Sequence, residues 1–422
     1  MHKKLLPRQE TIAKLSSLPV NTLAAVMSVA SDLQLIQTAA EAVISPEELD
    51  KKLSLGRPLR VKFGLDPTRP DLTLGHAVVF QKLRQFQDLG HEAHLVIGDF
   101  TATIGDPSGR SSLRPQLTRE EVEANAATYL EQAFRVIDKS KTVIHRNSTW
   151  FDRMSFEDVL ILTRKMTVAR MLERDDFAKR YRANTPISIV EFLYPLVQGR
   201  DSVELVSDVE LGGSDQLFNM LVGRQLQKDA GQEEQVVICM PLLVGTDGVR
   251  KMSKSLDNYI AFNDPPKEMF GKLMSIGDDL MWSYFTLLLG KTAEEIDSMK
   301  REHPMEMKKL LAESLTARFY SAEDARRERG AFEQVFSRNE LPDDMPDLAW
   351  SSLNAGSGDP TLLDALNASG LLPSRKEARR LIQQGAVKID GEKVTTPEHP
   401  LPALPKARVI QAGKRRFFRL IP

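Results

Sequence analysis

The stretch VKFGLDPTRPDLTLGHAVVFQKLRQFQDLGHEAHLVIGDFTATIGDPSGR, residues 61–110, decides the fold of this chain. The apolar run 59–63 predicts a strand, and residues 72–89 carry apolar side chains at helical spacing up to Gly90, where a glycine ends the helix. Residues 94–97 form a second apolar run. A strand, a loop, a helix and a second strand make a βαβ unit, which indicates an α/β fold with a parallel sheet.

The loop between the first strand and the helix is a candidate ligand-binding site, because open parallel sheets bind ligands beyond the carboxyl ends of their strands. The free N–H groups at the start of a helix favour phosphate. Gly75 has no Cβ, so a flat ring could lie against the backbone there, and His76 follows it. Taken alone, the loop is also compatible with an ordinary tight turn that carries a surface histidine.

A second stretch, GTDGVRKMSKSLDN at residues 245–258, carries two lysines on a glycine-flanked loop. Lys251 and Lys254 could close over a polyphosphate and stabilise the charge that develops there. A solvated basic turn is the alternative, but it does not account for the specific string KMSKS. Together with Leu74-Gly75-His76, this string resembles the signature pair of the class I aminoacyl-tRNA synthetases.

Residues 187–216 carry the polar side chains that bear on specificity. Tyr194, Gln198 and Asp201 are spaced four and three apart, so on a helix they share one face and could converge on a small ligand. Such groups are costly on a buried face unless they bind something, although a helix surface exposed to water would also explain them. In LGGSDQ at 211–216, Asp215 is placed to accept a hydrogen bond from a sugar hydroxyl.

The composition of the 422 residues, 41% apolar and 27% charged, predicts two or three domains and a sizeable core. No long apolar run predicts a membrane span. The single cysteine, Cys239, excludes a disulfide framework and a multi-cysteine zinc site, and it fits a reducing, cytoplasmic setting. The basic first residues faintly resemble a transit peptide, although Pro7 and Glu10 argue against one.

The charge is unevenly spread along the chain. Residues 361–422 carry 12 Lys and Arg against 5 Asp and Glu, a balance of +7, so the rest carries −8 within the net charge of −1. Ser374 is expected to cap a helix with four basic residues, and two hairpins are predicted after it. This pattern resembles the S4-type RNA-binding domain, although a solvated basic helix is the alternative.

The motifs resemble, in type and order, those of bacterial tyrosyl-tRNA synthetases over residues 40–422. The C-terminal module and the set Tyr194, Gln198 and Asp201 separate that family from the tryptophanyl-tRNA synthetases. The domain organisation that we expect is a helical N-terminal extension at 1–57, a Rossmann-like catalytic domain at 58–262 with a helical insertion at 115–190, a helical anticodon-binding region at 263–345, a linker at 346–360 and a small α+β S4-type domain at 361–422.

The resemblance implies a role for each matching residue of the tyrosine site. Asp201 would accept a hydrogen bond from the substrate phenol, while Asp106, Tyr194 and Gln198 would hold its α-ammonium group. Gln216 would lie near the carboxylate and the α-phosphate.

The resemblance also implies an ATP site and a tRNA surface. The ATP-binding residues would be Asp66, Thr68, Gly75, His76, Gly213, Asp215 and Lys254, and the catalytic residues would be Thr73, His76, Lys251 and Lys254. Among these, Gly213 and Asp215 would contact the ribose, and Thr68 would help the two lysines to stabilise the departing pyrophosphate. The tRNA-binding residues would be Arg375, Lys376, Arg379 and Arg380.

Two positions depart from the family pattern. Thr73 stands where the signature has its first histidine; it can donate a hydrogen bond to phosphate but cannot become a cation. Lys62 stands where many members have a tyrosine that reaches the substrate hydroxyl, so the second contact to the phenol stays unassigned.

The implied activity is that of a tyrosine–tRNA ligase. The substrates would be L-tyrosine, ATP with Mg²⁺ and tRNA(Tyr), with no tightly bound cofactor and no metal held by the protein itself. A cytoplasmic homodimer is expected, with no membrane partner. Three alternatives stay open: a synthetase for tryptophan or another aromatic amino acid, an RNA-binding paralogue without catalysis, which only Thr73 supports, and a generic nucleotidyl transferase.

Overall fold

The structure, a computed structural model, describes residues 20–105, 117–337, 345–353, 359–402, 406–413 and 416–422, without the side chains of 20–28 and 335–337. The chain divides into two units, Met1–Glu328 and Arg329–Pro422. Among the helices described, none is both long and apolar enough to cross a membrane.

Six strands form the sheet of the first unit: β1 (Ala42–Ile44), β2 (Arg60–Leu65), β3 (Glu92–Ile97), β4 (Thr142–Arg146), β5 (Val209–Gly213) and β6 (Val236–Met240). They lie in the order β1-β6-β5-β2-β3-β4, and each neighbouring pair is parallel except β1 with β6. Every residue of β6 is buried, as is typical of parallel strands covered on both faces. The predicted α/β fold with a parallel sheet is confirmed.

The strand order reverses between β2 and β5, because the chain first runs outward to β3 and β4 and later returns to β5 and β6. Loops that leave the two strands at such a switch point diverge and open a crevice. Helix α3 (Leu74–Asp88) follows β2 at this point and buries Phe80, Leu83 and Phe86 completely. The strand–loop–helix–strand unit predicted from residues 61–110 is therefore present where the crevice opens.

The described residues of this part of the first unit also form these helices: α1 (Val20–Gln37), α2 (Pro46–Leu53), α4 (Thr101–Ile104), α5 (Arg119–Ala133), α6 (Ser148–Phe151), α7 (Phe156–Thr163), α8 (Val168–Met171), α9 (Asp175–Arg182), α10 (Ile189–Leu205) and α11 (Leu217–Asp229). Two of them begin at a Ser or Thr residue whose side chain caps the helix. Ser45 Oγ accepts the N–H of Glu48 at 3.2 Å, and Thr118 Oγ1 accepts the N–H of Glu121 at 3.2 Å.

Two strands lie in stretches that we predicted to be wholly helical. β1 falls in the extension 1–57 and pairs with β6, while β4 falls in the insertion 115–190 and pairs with β3. The prediction was wrong at both places. The three residues of β1 are too few to show the alternation of apolar and polar residues that predicts a strand. In β4 the aliphatic residues are Val143 and Ile144, and both are exposed.

In the predicted helical region 263–345, the described residues 263–337 form the helices α12 (Pro266–Ser275), α13 (Asp278–Leu289), α14 (Ala293–Met299), α15 (Pro304–Phe319) and α16 (Ala322–Ser337). The side chains of Tyr284 and Phe285 on α13 are buried, and the Tyr284 hydroxyl donates to the carbonyl of Val244 at 2.7 Å. This bond ties the helical region to the segment that leads into the lysine loop.

The second unit holds a five-stranded sheet of β7 (Asp347–Ala349), β8 (Val387–Ile389), β9 (Glu392–Val394), β10 (Arg408–Ala412) and β11 (Arg416–Ile421), in the order β7-β11-β10-β8-β9. Helices α17 (Leu362–Ala368) and α18 (Arg375–Gln383) contribute to its apolar core. Both predicted hairpins are present, and the positive φ of Asp390 and Gly391, 50° and 89°, is typical of a tight two-residue turn between β8 and β9.

β7 corrects the prediction that residues 346–360 are a linker. It pairs in parallel with β11, and Leu348 and Trp350 pack against the core of the second unit. The many Pro, Gly and Ser residues around this three-residue strand hid it from a reading of composition.

Candidate active site

A cavity of about 620 Å³ lies beyond the carboxyl ends of β2 and β5, where the strand order reverses. The residues predicted for the tyrosine and ATP sites that line it are Asp66, Thr68, Thr73, Gly75, His76, Tyr194, Gln198, Asp201, Gly213, Asp215, Gln216, Lys251 and Lys254. The fold thus brings together side chains from stretches almost 190 residues apart. Asp106, the remaining residue predicted for this site, lies outside the described residues.

The first loop delivers Asp66, whose carboxylate is held from two sides. Tyr194 donates its hydroxyl to Oδ2 at 2.8 Å, and Thr101 donates to Oδ1 at 2.7 Å. A Cβ on Gly98 would lie 2.0 Å from the same Oδ1, so only glycine lets the carboxylate approach the end of β3 this closely. Sequence reasoning missed Thr101 and Gly98, because both follow β3 inside an apparently ordinary turn.

Thr73 is the N-cap residue of α3, and His76 lies in the first turn of that helix. The His76 Nδ1 is 3.1 Å from the backbone N of Thr73 and 3.0 Å from its Oγ1. Burial, with Lys254 as the second cause, lowers the pKa of His76 to about 4, so the ring is neutral near pH 7. Because Nδ1 accepts the backbone N–H, the proton of the neutral ring lies on Nε2, where it is available as a donor.

Asp201 on α10 is 3% exposed and is the most buried carboxylate among those predicted site residues that the structure describes. Its Oδ1 accepts the indole N–H of Trp150 at 3.0 Å, and its Oδ2 lies 3.5 Å from Asn147 Nδ2. Burial raises the pKa of Asp201 to about 7, against the opposing effects of the Lys62 charge and of these two donors. Trp150 and Asn147 were missed because they follow β4, inside the stretch predicted to be a helical insertion.

Lys62, the second departure from the family pattern, is completely buried beneath the cavity. Its Nζ lies 2.9 Å from Glu210 Oε1, 2.8 Å from Ser202 Oγ and 3.0 Å from the carbonyl of Gln198. The lysine is thus fully paired within the protein. The ion pair with Glu210 places one positive and one negative charge beneath the cavity.

Gln198 and Gln216 come from different elements but share one donor. Asn219 Nδ2 lies 2.9 Å from Gln198 Oε1 and 3.1 Å from Gln216 Oε1. Gln198 Nε2 in turn lies 3.4 Å from Glu210 Oε1. A buried asparagine that the sequence did not single out therefore sets the positions of two predicted tyrosine-binding residues.

The lysine loop closes one side of the cavity. Lys251 Nζ lies 2.9 Å from Asp215 Oδ2, so a predicted phosphate ligand and a predicted ribose ligand form an ion pair. Lys254 Nζ donates to the carbonyl of Asp71 in the first loop. Burial lowers the pKa of Lys254 to about 8, while the charge of Asp71 opposes that shift.

The four predicted tRNA-binding residues lie together on α18 of the second unit, and all are exposed. Three of them face carboxylates: Arg375 to Asp364 at 2.8 Å, Arg379 to Glu398 at 3.0 Å and Arg380 to Glu377 at 2.6 Å. Exposed pairs of this kind are weak, so phosphate oxygens can compete for the guanidinium groups. The tRNA contact itself stays a prediction.

Comparison with known protein families covers both units. The family model described as tRNA synthetases class I (W and Y) matches residues 54–337, and the model described as S4 domain matches residues 361–403. The tyrosine–tRNA ligase of Oleidesulfovibrio alaskensis is 52% identical over 94% of this chain and 100% of its own length. That of Aquifex aeolicus is 50% identical over 94% of this chain and 100% of its own length.

Solved structures show the same backbone arrangement. The tyrosyl-tRNA synthetase of Archaeoglobus fulgidus, complexed with L-tyrosine, superposes with a TM-score of 0.59 at 25% identity, over 72% of this chain and 100% of that one. A C-terminally truncated mitochondrial tyrosyl-tRNA synthetase of Aspergillus nidulans gives a TM-score of 0.61 at 20% identity, over 73% and 94%. At that lower identity the likeness concerns the fold alone.

Proposed function

This chain belongs to the class I tRNA synthetases for tryptophan and tyrosine, within the bacterial tyrosine–tRNA ligases, and from that membership we propose how its crevice works. The enzyme activates L-tyrosine with ATP to tyrosyl-adenylate and pyrophosphate, and it then transfers the tyrosyl group to the 3′ end of tRNA(Tyr). No protein nucleophile is needed. Catalysis consists of positioning the reactants and stabilising charge at the phosphates.

The observation that supports tyrosine as the amino-acid substrate is the buried carboxylate of Asp201. A phenol can donate its O–H to this carboxylate, which Trp150 orients at 3.0 Å. The side chain of phenylalanine offers no donor, and binding it would leave a buried acceptor unpaired, which is costly. We therefore assign Asp201 to the phenol, and we assign Tyr194, Gln198 and Asp106 to the α-ammonium group.

The other end of the cavity suits the nucleotide. Gly213 ends β5, Asp215 follows it, and both would contact the ribose. Asp66, Gly75 and His76 would line the rest of the ATP site. The neutral His76 can donate from Nε2 to a phosphate oxygen without a change in its own charge. Gln216, linked through Asn219 to Gln198, would lie near the reacting carboxylate and α-phosphate.

The phosphates of ATP would be bound by Thr68, Thr73, Lys251 and Lys254. As the tyrosine carboxylate attacks the α-phosphate, negative charge builds on the leaving pyrophosphate, and cations already in place stabilise it. Binding of the nucleotide would exchange the ion pair of Lys251 with Asp215 for contacts to the phosphates and the ribose. Mg²⁺ would enter with ATP as part of that substrate.

The basic helix α18 would bind the tRNA backbone, because phosphate contacts depend on clustered Lys and Arg. We also propose that the enzyme is a cytoplasmic homodimer. Three apolar side chains in one stretch of the first unit support a subunit contact: Phe156, Ile161 and Val168 are 77%, 48% and 62% exposed. Sedimentation of the purified protein tests the dimer.

The function is tested by ATP–pyrophosphate exchange with each of the twenty amino acids. Exchange with tyrosine alone is expected, and it would establish the substrate and the competence of Thr73 together. Exchange with tryptophan would overturn the role assigned to Asp201. A folded, RNA-binding sample without any exchange would instead favour a paralogue that has lost catalysis.

A further inference from the structure

Arg69 is a cation of the nucleotide end of the cavity that the family pattern does not assign. Its side chain is exposed and lines the cavity beside Thr68 and Lys254. Within the described residues its guanidinium has no ion pair and no hydrogen bond, whereas Lys251 is paired with Asp215 and Lys254 donates to a carbonyl. An arginine that is free to bind an anion therefore stands where a polyphosphate is expected.

The backbone that carries Arg69 is fixed on both sides. The carbonyl of Pro67 accepts from Asn125 Nδ2 at 2.9 Å, and the carbonyl of Pro70 accepts from Gln132 Nε2 at 2.9 Å; both donors are on α5. The proline that follows Arg69 restricts its backbone to extended conformations. The motion that remains is that of the Arg69 side chain. Binding a ligand therefore costs the conformational entropy of that side chain and little of the backbone.

The electrostatics of the site place the charge of Arg69 close to Lys254. Its charge is one of the causes that lower the pKa of Lys254, so the two cations act on the same region of the cavity. Thr73 is neutral at any pH, and His76, with a pKa of about 4, is neutral near pH 7. The first signature motif therefore supplies no positive charge of its own.

We propose that Arg69 is a further catalytic residue, whose guanidinium binds the β- and γ-phosphates of ATP and stabilises the pyrophosphate as it leaves. The proposal rests on the adenylation function proposed above. A tyrosine carboxylate oxygen forms a bond to the α-phosphorus, and the bond from that phosphorus to the bridging oxygen breaks. The electron pair leaves with the pyrophosphate. Arg69 donates hydrogen bonds from a planar, permanently charged group and transfers no proton.

The test compares Arg69→Gln and Arg69→Lys with the parent enzyme and with Arg84→Gln, which removes an exposed charge from α3 that is paired with Asp88 at 2.7 Å. Three quantities are measured: the single-turnover rate of tyrosyl-adenylate formation at saturating ATP, the Kd of tyrosine alone, and the affinity for pyrophosphate in the reverse reaction. For Arg69→Gln we expect a rate about 10- to 100-fold lower, which is less than the roughly 10²–10³-fold effect of a preorganised donor, because the exposed Arg69 side chain must be ordered when it binds.

Pyrophosphate affinity should fall in parallel, while the Kd of tyrosine stays within about twofold, because the guanidinium acts only on phosphate. Arg69→Lys should recover only part of the rate, because lysine keeps the charge but lacks the planar set of donors. Arg84→Gln should keep the full rate. An unchanged rate in Arg69→Gln overturns the proposal. So does an equal loss of tyrosine affinity, which would mean that Arg69 only supports the loop. A parent enzyme without tyrosine-dependent adenylation would instead refute the proposed function, and that failure is visible before any variant is made.

Discussion

The indole N–H of Trp150 donates to Oδ1 of Asp201 across 3.0 Å, and this bond links two separate helices. Trp150 lies on α6, just after β4, whereas Asp201 lies on α10. A carboxylate has about four lone-pair sites, so one bond orients the group and leaves acceptor capacity for a substrate. The selectivity for a phenol that we propose for Asp201 would therefore depend on a side chain 51 residues away in sequence.

Trp150→Phe should lower kcat/KM for tyrosine by about tenfold or more, because a hydrogen bond to a charged group contributes about 1.5–3 kcal/mol. The kcat/KM for phenylalanine should change much less, since phenylalanine gains nothing from an oriented Asp201. Amino-acid-dependent ATP–pyrophosphate exchange measures both values. Trp282→Phe on α13 serves as the matched control. Equal losses for tyrosine and phenylalanine would show that Trp150 only supports packing.

The affinity for tyrosine should depend on pH. The pKa of Asp201 is raised to about 7 in the free protein, and the ionised carboxylate is the better acceptor for a phenol O–H. A ligand that prefers the ionised form binds more weakly as the pH falls below that pKa, by up to about tenfold per pH unit. We expect the Kd of tyrosine to rise as the pH falls from about 7.5 to 5.5.

Equilibrium binding of tyrosine without ATP measures this effect, and it does not involve the lysines that we propose to bind phosphate. His76, with a pKa of about 4, titrates below the window. Asp201→Asn should bind tyrosine weakly and with a flat profile, because the amide does not titrate. A sloping profile in that variant would assign the pH dependence to another group.

Sequence reasoning located the crevice because its signals are local. The turn chemistry around Asp66, the helix start at Leu74-Gly75-His76 and the string KMSKS each lie within a few residues, and each is recognisable without knowledge of the fold. The residues that hold these groups in place could not be recognised from the sequence in the same way. Trp150, Asn219 and Thr101 meet their partners only through the strand order of the sheet, which no short pattern encodes.

The same limit explains the errors in the fold. β1 and β7 are three residues long and become strands only because an edge of a sheet is available for pairing. Tertiary pairing therefore decides the structure where the local pattern is too short to do so. The same limit applies to Lys62. The sequence shows that Lys62 differs from the family pattern, and only the structure shows its ion pair with Glu210.

Lys62→Met should destabilise the protein by about 3–5 kcal/mol, because it leaves Glu210 as an uncompensated buried charge. The free energy of unfolding from denaturant titration measures the loss. The double variant Lys62→Met/Glu210→Gln should recover most of it, since both charges are then removed. A loss in the double variant as large as in the single one would mean that packing, and not the ion pair, accounts for the effect.

Lys254→Ala should slow adenylate formation far more than it weakens tyrosine binding. Its Nζ lies at the phosphate end of the cavity, where it donates to the Asp71 carbonyl, and the removal of one such donor lowers a rate by about 10²–10³-fold. Tyrosine, whose phenol is assigned to Asp201, should keep its Kd within about twofold. Single-turnover adenylation and equilibrium binding separate the two effects, with Lys267→Ala, an exposed lysine of α12, as the control. Equal adenylation rates for Lys254→Ala and the parent would remove this lysine from the mechanism and leave Lys251 and Arg69 as the cations that meet the pyrophosphate.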